Sequence, residues 1–178
     1  RQCARFLDIS HQHLTKFAKD NDDFPAGKHV GRERVFTLSE LMHIRALMAA
    51  SAKRPDHFLA WRKPGDTLPV ISFASQKGGT AKSLSAAHFA QYLSLHYGMR
   101  VGVMDADPQS TITLYFVGGD EMPTLPNDET PTMVDFAGLF QTDEESPYTD
   151  YDSSTLDSFF KKTSWPCVRL VPAHVETS

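Results

Sequence analysis

Hydrophobic positions change their spacing several times along this chain, and each change marks an element. Residues 2–7 and 11–20 read as two short helices around the turn Asp8-Ile9-Ser10. Leu14 and Phe17, three apart, give the second helix its buried stripe, leaving Gln12, His13, Lys16 and Lys19 on other faces. Ser10 stands where a side-chain N-cap belongs. Residues 28–36 alternate as a β-hairpin would, with Gly31 near its tip. Thr37-Leu-Ser-Glu40 then spells a capping box for a third helix over 38–50, with Leu41, Ile44, Arg45 and Met48 along one stripe. Periodicity fades over 51–69, which carries Pro55, Pro64, Gly65 and Pro69 and reads as a linker. Phe58, Leu59 and Trp61 argue that it docks against something.

The pattern then changes character. Val70-Ile-Ser-Phe-Ala74 is a β-type apolar run that predicts a strand emptying into a glycine loop. A helical pattern opens at Leu84 and runs to about Tyr97, with Gly98 in the C-cap role. Arg100 to Met104, with the run Val-Gly-Val-Met, predicts a buried-type strand that ends in Asp105-Ala-Asp107-Pro-Gln109. Strand, helix and strand make a βαβ unit, hence a parallel sheet with a right-handed crossover. Farther on, short helices are expected over 110–116, 132–140 and 156–162, with a polar loop over 118–131 and an acidic stretch over 141–154. Val168-Arg-Leu-Val171 reads as another strand, followed by Pro-Ala-His-Val-Glu.

The chemistry concentrates where the predicted strand meets the predicted helix, in Lys77-Gly-Gly-Thr-Ala-Lys-Ser83. Gly78 and Gly79 let the backbone bend close to a ligand, while loop N–H groups and the helix N-terminus face an anion. Lys82 adds a point charge, and the Ser83 hydroxyl suits Mg²⁺. Gln76 and Ala81 occupy the two glycine positions of the standard G-x-x-x-x-G-K-[ST] pattern, so the loop is a variant of it.

Lys-Gly-Gly-x-x-Lys-Ser, with its early lysine, resembles the deviant Walker A loop of the ParA/MinD family of ATPases, and Asp-x-Asp-Pro-Gln strengthens the likeness. The resemblance implies ATP and Mg²⁺ as cofactors. It places Gly78, Gly79, Thr80, Ala81, Lys82, Ser83 and Leu84 around the nucleotide, with Ser83 and Asp105 supporting the metal. Lys77 would reach across a nucleotide-sandwich homodimer to the other subunit's phosphates, Lys82 would grip its own, and Asp107 would orient the attacking water. Ala81 stands where the family more often has glycine; because φ > 0 is costly for alanine, φ < 0 is expected there. The Pro-Ala-His turn is similar to a family turn that contacts nucleotide or the dimer partner.

The front of the chain carries a second likeness. Residues 31–41, Gly-Arg-Glu-Arg-Val-Phe-Thr-Leu-Ser-Glu-Leu, resemble the wing and following helix of MerR-like winged helix-turn-helix domains. That resemblance implies DNA contacts from Ser10, His11, Gln12, His13 and Lys16 on the recognition helix and from Arg32 and Arg34 on the wing. Wing arginines would set register on phosphates. The expected fold is α/β: a winged helix-turn-helix over 1–50, a linker over 51–69, and part of a P-loop doubly wound parallel-sheet domain over 70–178. Such an arrangement is that of the larger ParA proteins of plasmid partition, including those of repABC replicons. It implies ATP-dependent DNA segregation, a ParB-type partner that stimulates hydrolysis, and repression of the protein's own operon.

Composition changes this picture only at the margins. Hydrophobic residues make up 40% of 178, enough for a core. No run of eighteen apolar residues and no signal peptide is present, so the expectation is a cytoplasmic, nucleoid-associated chain without membrane contact. Two cysteines, Cys3 and Cys167, supply neither a disulfide framework nor paired cluster ligands, which argues against a reductase subunit of the same superfamily. The net charge of −4 conceals an asymmetry: twelve Lys/Arg against eight Asp/Glu over 1–66, and six against fourteen over 67–178. A basic front on an acidic body favours nucleic acid at the front. The rival readings are a transcription regulator using nucleotide as a switch with negligible turnover, and a MinD-like positioning ATPase acting on membranes. The latter leaves the winged helix-turn-helix unexplained. The family's apolar strand ending in Asp is expected beyond Ser178, so the chain reads as the front portion of a longer protein.

Overall fold

The computed structural model describes residues 2–117, 131–138 and 157–173. The chain divides into two compact units, residues 1–70 with 92–100 and residues 71–91 with 101–178.

The first unit opens with α1 (Gln2–Phe6) and α2 (His11–Lys19). The Ser10 hydroxyl accepts from the His13 N–H at 3.1 Å, the capping bond its position foretold. The hairpin of β1 (Lys28–Val30) and β2 (Glu33–Val35) follows in antiparallel register, His29 opposite Arg34. Gly31 turns it at φ +61°. α3 (Leu38–Ser51) begins with the complete capping box: Thr37 Oγ1 accepts from the Glu40 N–H at 3.1 Å, and Glu40 accepts from the Thr37 N–H at 2.8 Å. Leu7, Leu14, Leu41, Ile44, Met48 and Phe58 form the core, so residue 58 of the expected linker packs inside this unit. At about 25 cal/mol per Å² of apolar area, each such side chain contributes roughly 1.5–3 kcal/mol.

Arg45 is the exception inside that core, at 1% exposure. Its guanidinium donates to the carbonyls of Phe58 at 3.0 Å, Leu95 at 2.6 Å, His96 at 2.9 Å, and Phe6. Leu95 and His96 end α4 (Lys82–Tyr97), where the last carbonyls of a helix favour a cation. Gly98 closes that helix at φ +63°, and a Cβ there would sit 2.7 Å from the Phe58 carbonyl oxygen. Glycine is therefore required both for conformation and for room. The Trp61 indole N–H donates to the Gly98 carbonyl at 2.8 Å, and Arg100 stacks over its ring at 3.9 Å.

The second unit contains a three-stranded sheet of order β3 (Val101–Met104), β5 (Val168–Val171), β4 (Lys161–Lys162). β3 and β5 are parallel, Val101 opposite Val168 and Met104 opposite Val171; β4 is antiparallel to β5. α5 (Thr111–Val117), α6 (Met133–Gly138) and the front of α4 belong to the same unit. Ala87, Ala90, Val103, Ile112, Phe116, Val168 and Leu170 make its core. No helix among the described residues is long and apolar enough to cross a membrane.

Three expectations are corrected. Residues 70–74 do not form a strand: no described strand pairs with them, Val70 is 86% exposed and Ile71 57%. An apolar run supplies β propensity, but a strand also needs a ladder partner for its N–H and C=O groups. The parallel neighbour of β3 is accordingly β5, and the βαβ unit expected from 70–74 is not formed. Residues 161–162 are strand, where a helix was expected over 156–162; pairing with β5 decides them. Ala81 has φ +57°, opposite in sign to the expectation. The expected loop over 118–130, the acidic stretch over 141–154 and the turn residues 174–176 lie outside the described residues.

Candidate functional site

The loop ahead of α4 is built from short local bonds. The Ser75 hydroxyl accepts from the Lys77 N–H at 3.3 Å, and Thr80 Oγ1 donates to the Lys77 carbonyl at the same distance. Gly79 adopts φ +75°, and the space beyond Gly78 and Gly79, where a side chain would begin, holds no protein atom within 4 Å. The Ala81 carbonyl accepts the first helical bond, from the Ser85 N–H at 2.8 Å, so Ala81 is the residue from which α4 winds. Backbone N–H groups of residues 78–84 have no protein acceptor among the described residues. Unspent donors at the positive end of a sixteen-residue helix, beside open space, form an anion cradle.

Lys82, Ser83 and Leu84 occupy the first turn of that helix. Lys82 Nζ lies 3.2 Å from Asp107 Oδ2, with the two side chains 34% and 23% exposed. The lysine of the loop and the acid of the Asp-x-Asp-Pro-Gln turn, 25 positions apart in sequence, are thus brought together. Asp107 Oδ1 accepts from the Gln109 N–H at 3.0 Å. That bond first, and the Lys82 ammonium second, hold the Asp107 carboxyl below the usual carboxylate range, against the opposing pull of partial desolvation. It is ionised at neutral pH.

Asp105 is placed differently. It is 1% exposed, and Oδ2 accepts from Thr113 Oγ1 at 2.7 Å and from the Thr113 N–H at 2.9 Å. Oδ1 accepts from the Asp107 N–H at 3.2 Å. A buried carboxylate needs donors, and here they come from α5 and from its own turn. Sequence reasoning passed over Thr113. Asp105 lies too far ahead of α5 to read as its N-cap, so no spacing rule connects the pair.

The cradle fits a polyphosphate with its metal. Vacant N–H groups, two lysines and open space at the glycines suit the phosphates of a nucleotide, and the Ser83 hydroxyl is a ligand of the type Mg²⁺ takes. Lys77 is exposed, and its side chain makes no ion pair or hydrogen bond among the described residues.

The residues expected to meet DNA lie in the first unit. His11, Gln12, Thr15, Lys16 and Lys19 lie together on one face of α2. The Ser10 hydroxyl is committed to its cap, and the His13 backbone N–H to that bond. Arg34 folds back instead of projecting: Nε donates to the Ala26 carbonyl at 2.6 Å, a terminal nitrogen donates to the Pro25 carbonyl, and the guanidinium stacks on Phe24 and Phe36. Arg32, one residue past the hairpin tip, is exposed and has no ion pair or hydrogen-bond partner among the described residues.

An open lysine-glycine loop feeding a helix, faced by an acid at a strand end, defines a nucleotide-binding class of protein. Residues 71–160 match the CbiA family, the CobQ/CobB/MinD/ParA nucleotide binding domain, and the chain belongs to that family. Among curated proteins it is similar to "Putative replication protein A" of Rhizobium rhizogenes, 26% identical over 98% of this chain and 40% of the relative. It is similar also to "Putative replication protein A" of Sinorhizobium fredii, 27% identical over 98% of this chain and 39% of the relative. "Protein SopA" of Escherichia coli is 24% identical over 78% of this chain and 30% of the relative. The chain therefore spans about two-fifths of the length of the first two relatives. No solved structure matches it significantly.

Proposed function

We propose that this chain belongs to an ATP-dependent DNA-partition protein, in which a nucleotide-gripping unit works with a DNA-binding front. The observation that carries the reading is the 3.2 Å contact between Lys82 and Asp107 beside a loop with unspent N–H groups. In this reading Gly78, Gly79, Thr80, Ala81, Lys82, Ser83 and Leu84 wrap the phosphates of ATP. Ser83 supplies a hydroxyl to Mg²⁺, and Asp105 supports that shell from behind through the turn it holds. When bound, Mg²⁺ supplies charge neutralisation on the transferred phosphoryl group. Asp107 is ionised and held at both oxygens, so it presents an oriented acceptor to a water molecule. Phosphoryl transfer asks little more of a protein than positioning and positive charge. Lys77 is exposed, and its ammonium has no ion-pair or hydrogen-bond partner among the described residues, so it is free to serve the second subunit of a homodimer.

The first unit would bind DNA as a winged helix-turn-helix: α2 as the recognition helix through His11, Gln12, His13 and Lys16, and the β1–β2 hairpin as the wing through Arg32. Ser10 serves by shaping the start of α2, and Arg34 by bracing the wing on Phe24 and Phe36. The order helix, turn, helix, hairpin, helix supports this, as does the basic balance of residues 1–66. Operator binding would repress the protein's own operon, a ParB-type partner would stimulate hydrolysis, and the chain would act in the cytoplasm on the nucleoid or plasmid.

The test is nucleotide binding and turnover in the full-length protein. Lys82→Ala should weaken ATP binding by at least about a hundredfold, since it removes a charge at the phosphates. Lys77→Ala should keep most of the affinity and lose turnover. Asp107→Ala should bind ATP and hydrolyse it at least about a hundredfold more slowly. Unchanged turnover in Asp107→Ala would sink the hydrolytic reading and leave the nucleotide-switched transcription regulator standing.

A further inference from the structure

We propose that Thr113 is a positioning residue for the Asp107 carboxylate, setting it through Asp105. The inference rests on the reading of Asp107 given above and extends it to a residue outside the loop and the acidic turn. Thr113 is completely buried in the first turn of α5. Its hydroxyl donates to Asp105 Oδ2 at 2.7 Å and accepts from the Ala173 N–H at 3.0 Å. Both capacities of the hydroxyl are thereby used in fixed directions. A β-branched side chain in a helix has few χ1 choices, which stiffens the arrangement further.

The consequences run one way along the turn. Asp105 follows the end of β3, and its backbone N–H donates to the Val171 carbonyl at the end of β5 at 3.0 Å. Ala173 lies two residues past that same strand end. Thr113 therefore ties together the segments that leave two neighbouring parallel strands. With Oδ2 anchored twice on Thr113, Asp105 is left with Oδ1 facing the Asp107 N–H at 3.2 Å. That bond fixes the backbone from which the Asp107 side chain reaches the Gln109 N–H and Lys82. Without the Thr113 hydroxyl, Asp105 keeps only one donor on Oδ2 and can rotate, and the Asp107 backbone loses its fixed acceptor. Phosphate-gripping groups are untouched by this change. A displacement of the water-orienting acid by a fraction of an ångström then falls on turnover and spares binding.

The experiment uses the full-length protein with Thr113→Val and Thr113→Ser, reading ATP turnover and the hydrogen-exchange protection of the Asp107 backbone amide by NMR. Thr113→Val should lower kcat roughly tenfold to a hundredfold with KM for ATP within about twofold. It should also speed exchange of the Asp107 amide, because that N–H loses its fixed acceptor. Thr113→Ser, which keeps the hydroxyl, should restore both. Unchanged kcat and amide exchange in Thr113→Val would overturn the proposal, as would parallel losses in kcat, KM and melting temperature that Thr113→Ser does not repair. If Thr113→Val does not fold, Thr113→Cys replaces it in the same two measurements, with the same expected directions and the same overturning results. Should the wild-type protein show no turnover, the amide exchange decides the role of Thr113, and the absent turnover counts against the hydrolytic reading.

Discussion

α4 and α5 are both approached through a turn whose last residue is a non-glycine held at positive φ, Ala81 at +57° and Ser110 at +54°. There the likeness ends. Ahead of α5 the protein supplies its own anion: Asp105 is buried and takes the N–H and hydroxyl of Thr113 and the N–H of Asp107. Ahead of α4 no side-chain carboxylate accepts from the backbone N–H groups of residues 78–84 among the described residues, and the loop is exposed, with the glycines facing open space. A helix N-terminus that has been given an internal carboxylate is finished as structure. One left with vacant donors and lysines is poised for an anion from outside. The two turns meet where Lys82 touches Asp107, so the satisfied turn delivers its acid to the unsatisfied one.

The strongest way to break this comparison is to remove the internal anion. Asp105→Ala leaves three donors without their acceptor, two of them on the fully buried Thr113. It should cost about 3 kcal/mol or more of stability, measured by urea unfolding. Thr80→Ala in the open loop removes one long bond from an exposed residue and should stay within about 0.5 kcal/mol. If the two substitutions cost the same, the contrast between a closed and an open turn is wrong.

How far the sequence announced these turns depends on the range of the interaction involved. Ser10, Thr37 with Glu40, and Gly98 were legible because caps are settled within three or four residues. The Lys-Gly-Gly loop and the Asp-Pro-Gln turn were legible as local chemistry, and they meet through Lys82 and Asp107 although the strand expected to deliver the loop is not formed. Residues 70–74 misled because their composition favours a strand while the ladder partner must come from elsewhere. Lys161 and Lys162 misled for the converse reason: nothing in two lysines favours a strand, and β5 imposes it. Arg45 looked like an ordinary stripe position, because the carbonyls it collects are 13 to 51 residues away. Arg34 read as a phosphate contact, and only the fold places Pro25, Ala26 and two phenylalanines around it.

A smaller effect sharpens the comparison at the two positive-φ residues. Ala81 was expected at φ < 0 because an L side chain in the left-handed region costs roughly 1–2 kcal/mol. Its observed conformation means that the geometry of the loop outweighs that cost. Ala81→Gly should therefore stabilise the protein by about 0.5–1 kcal/mol, the relief of strain exceeding the added freedom of the unfolded chain. Ser110→Gly should gain a similar amount, since among the described residues the Ser110 hydroxyl makes only a long contact, 3.4 Å, to the Pro108 carbonyl. A melting temperature that falls in Ala81→Gly would show that Ala81 does not hold positive φ.

The smallest effect concerns the contact where the turns meet. Asp107 has its carboxyl held below the ordinary value near 3.8, by the Gln109 N–H and then by Lys82. A group whose folded pKa is lowered contributes stability that is fully present above its unfolded pKa and is lost as the pH falls through the folded one. Wild type and Asp107→Asn should therefore differ in urea midpoint by a constant amount through neutral and mildly acidic pH. The difference should shrink only below about pH 4, as the wild-type carboxyl takes up its proton. Added salt should narrow it as well, because both partners are partly exposed and the pair is screened. Asp105→Ala should show no comparable narrowing with salt, since its partners are neutral N–H and O–H groups, with Thr113 fully buried. A salt response of equal size in both variants would mean that the two carboxylates do the same work.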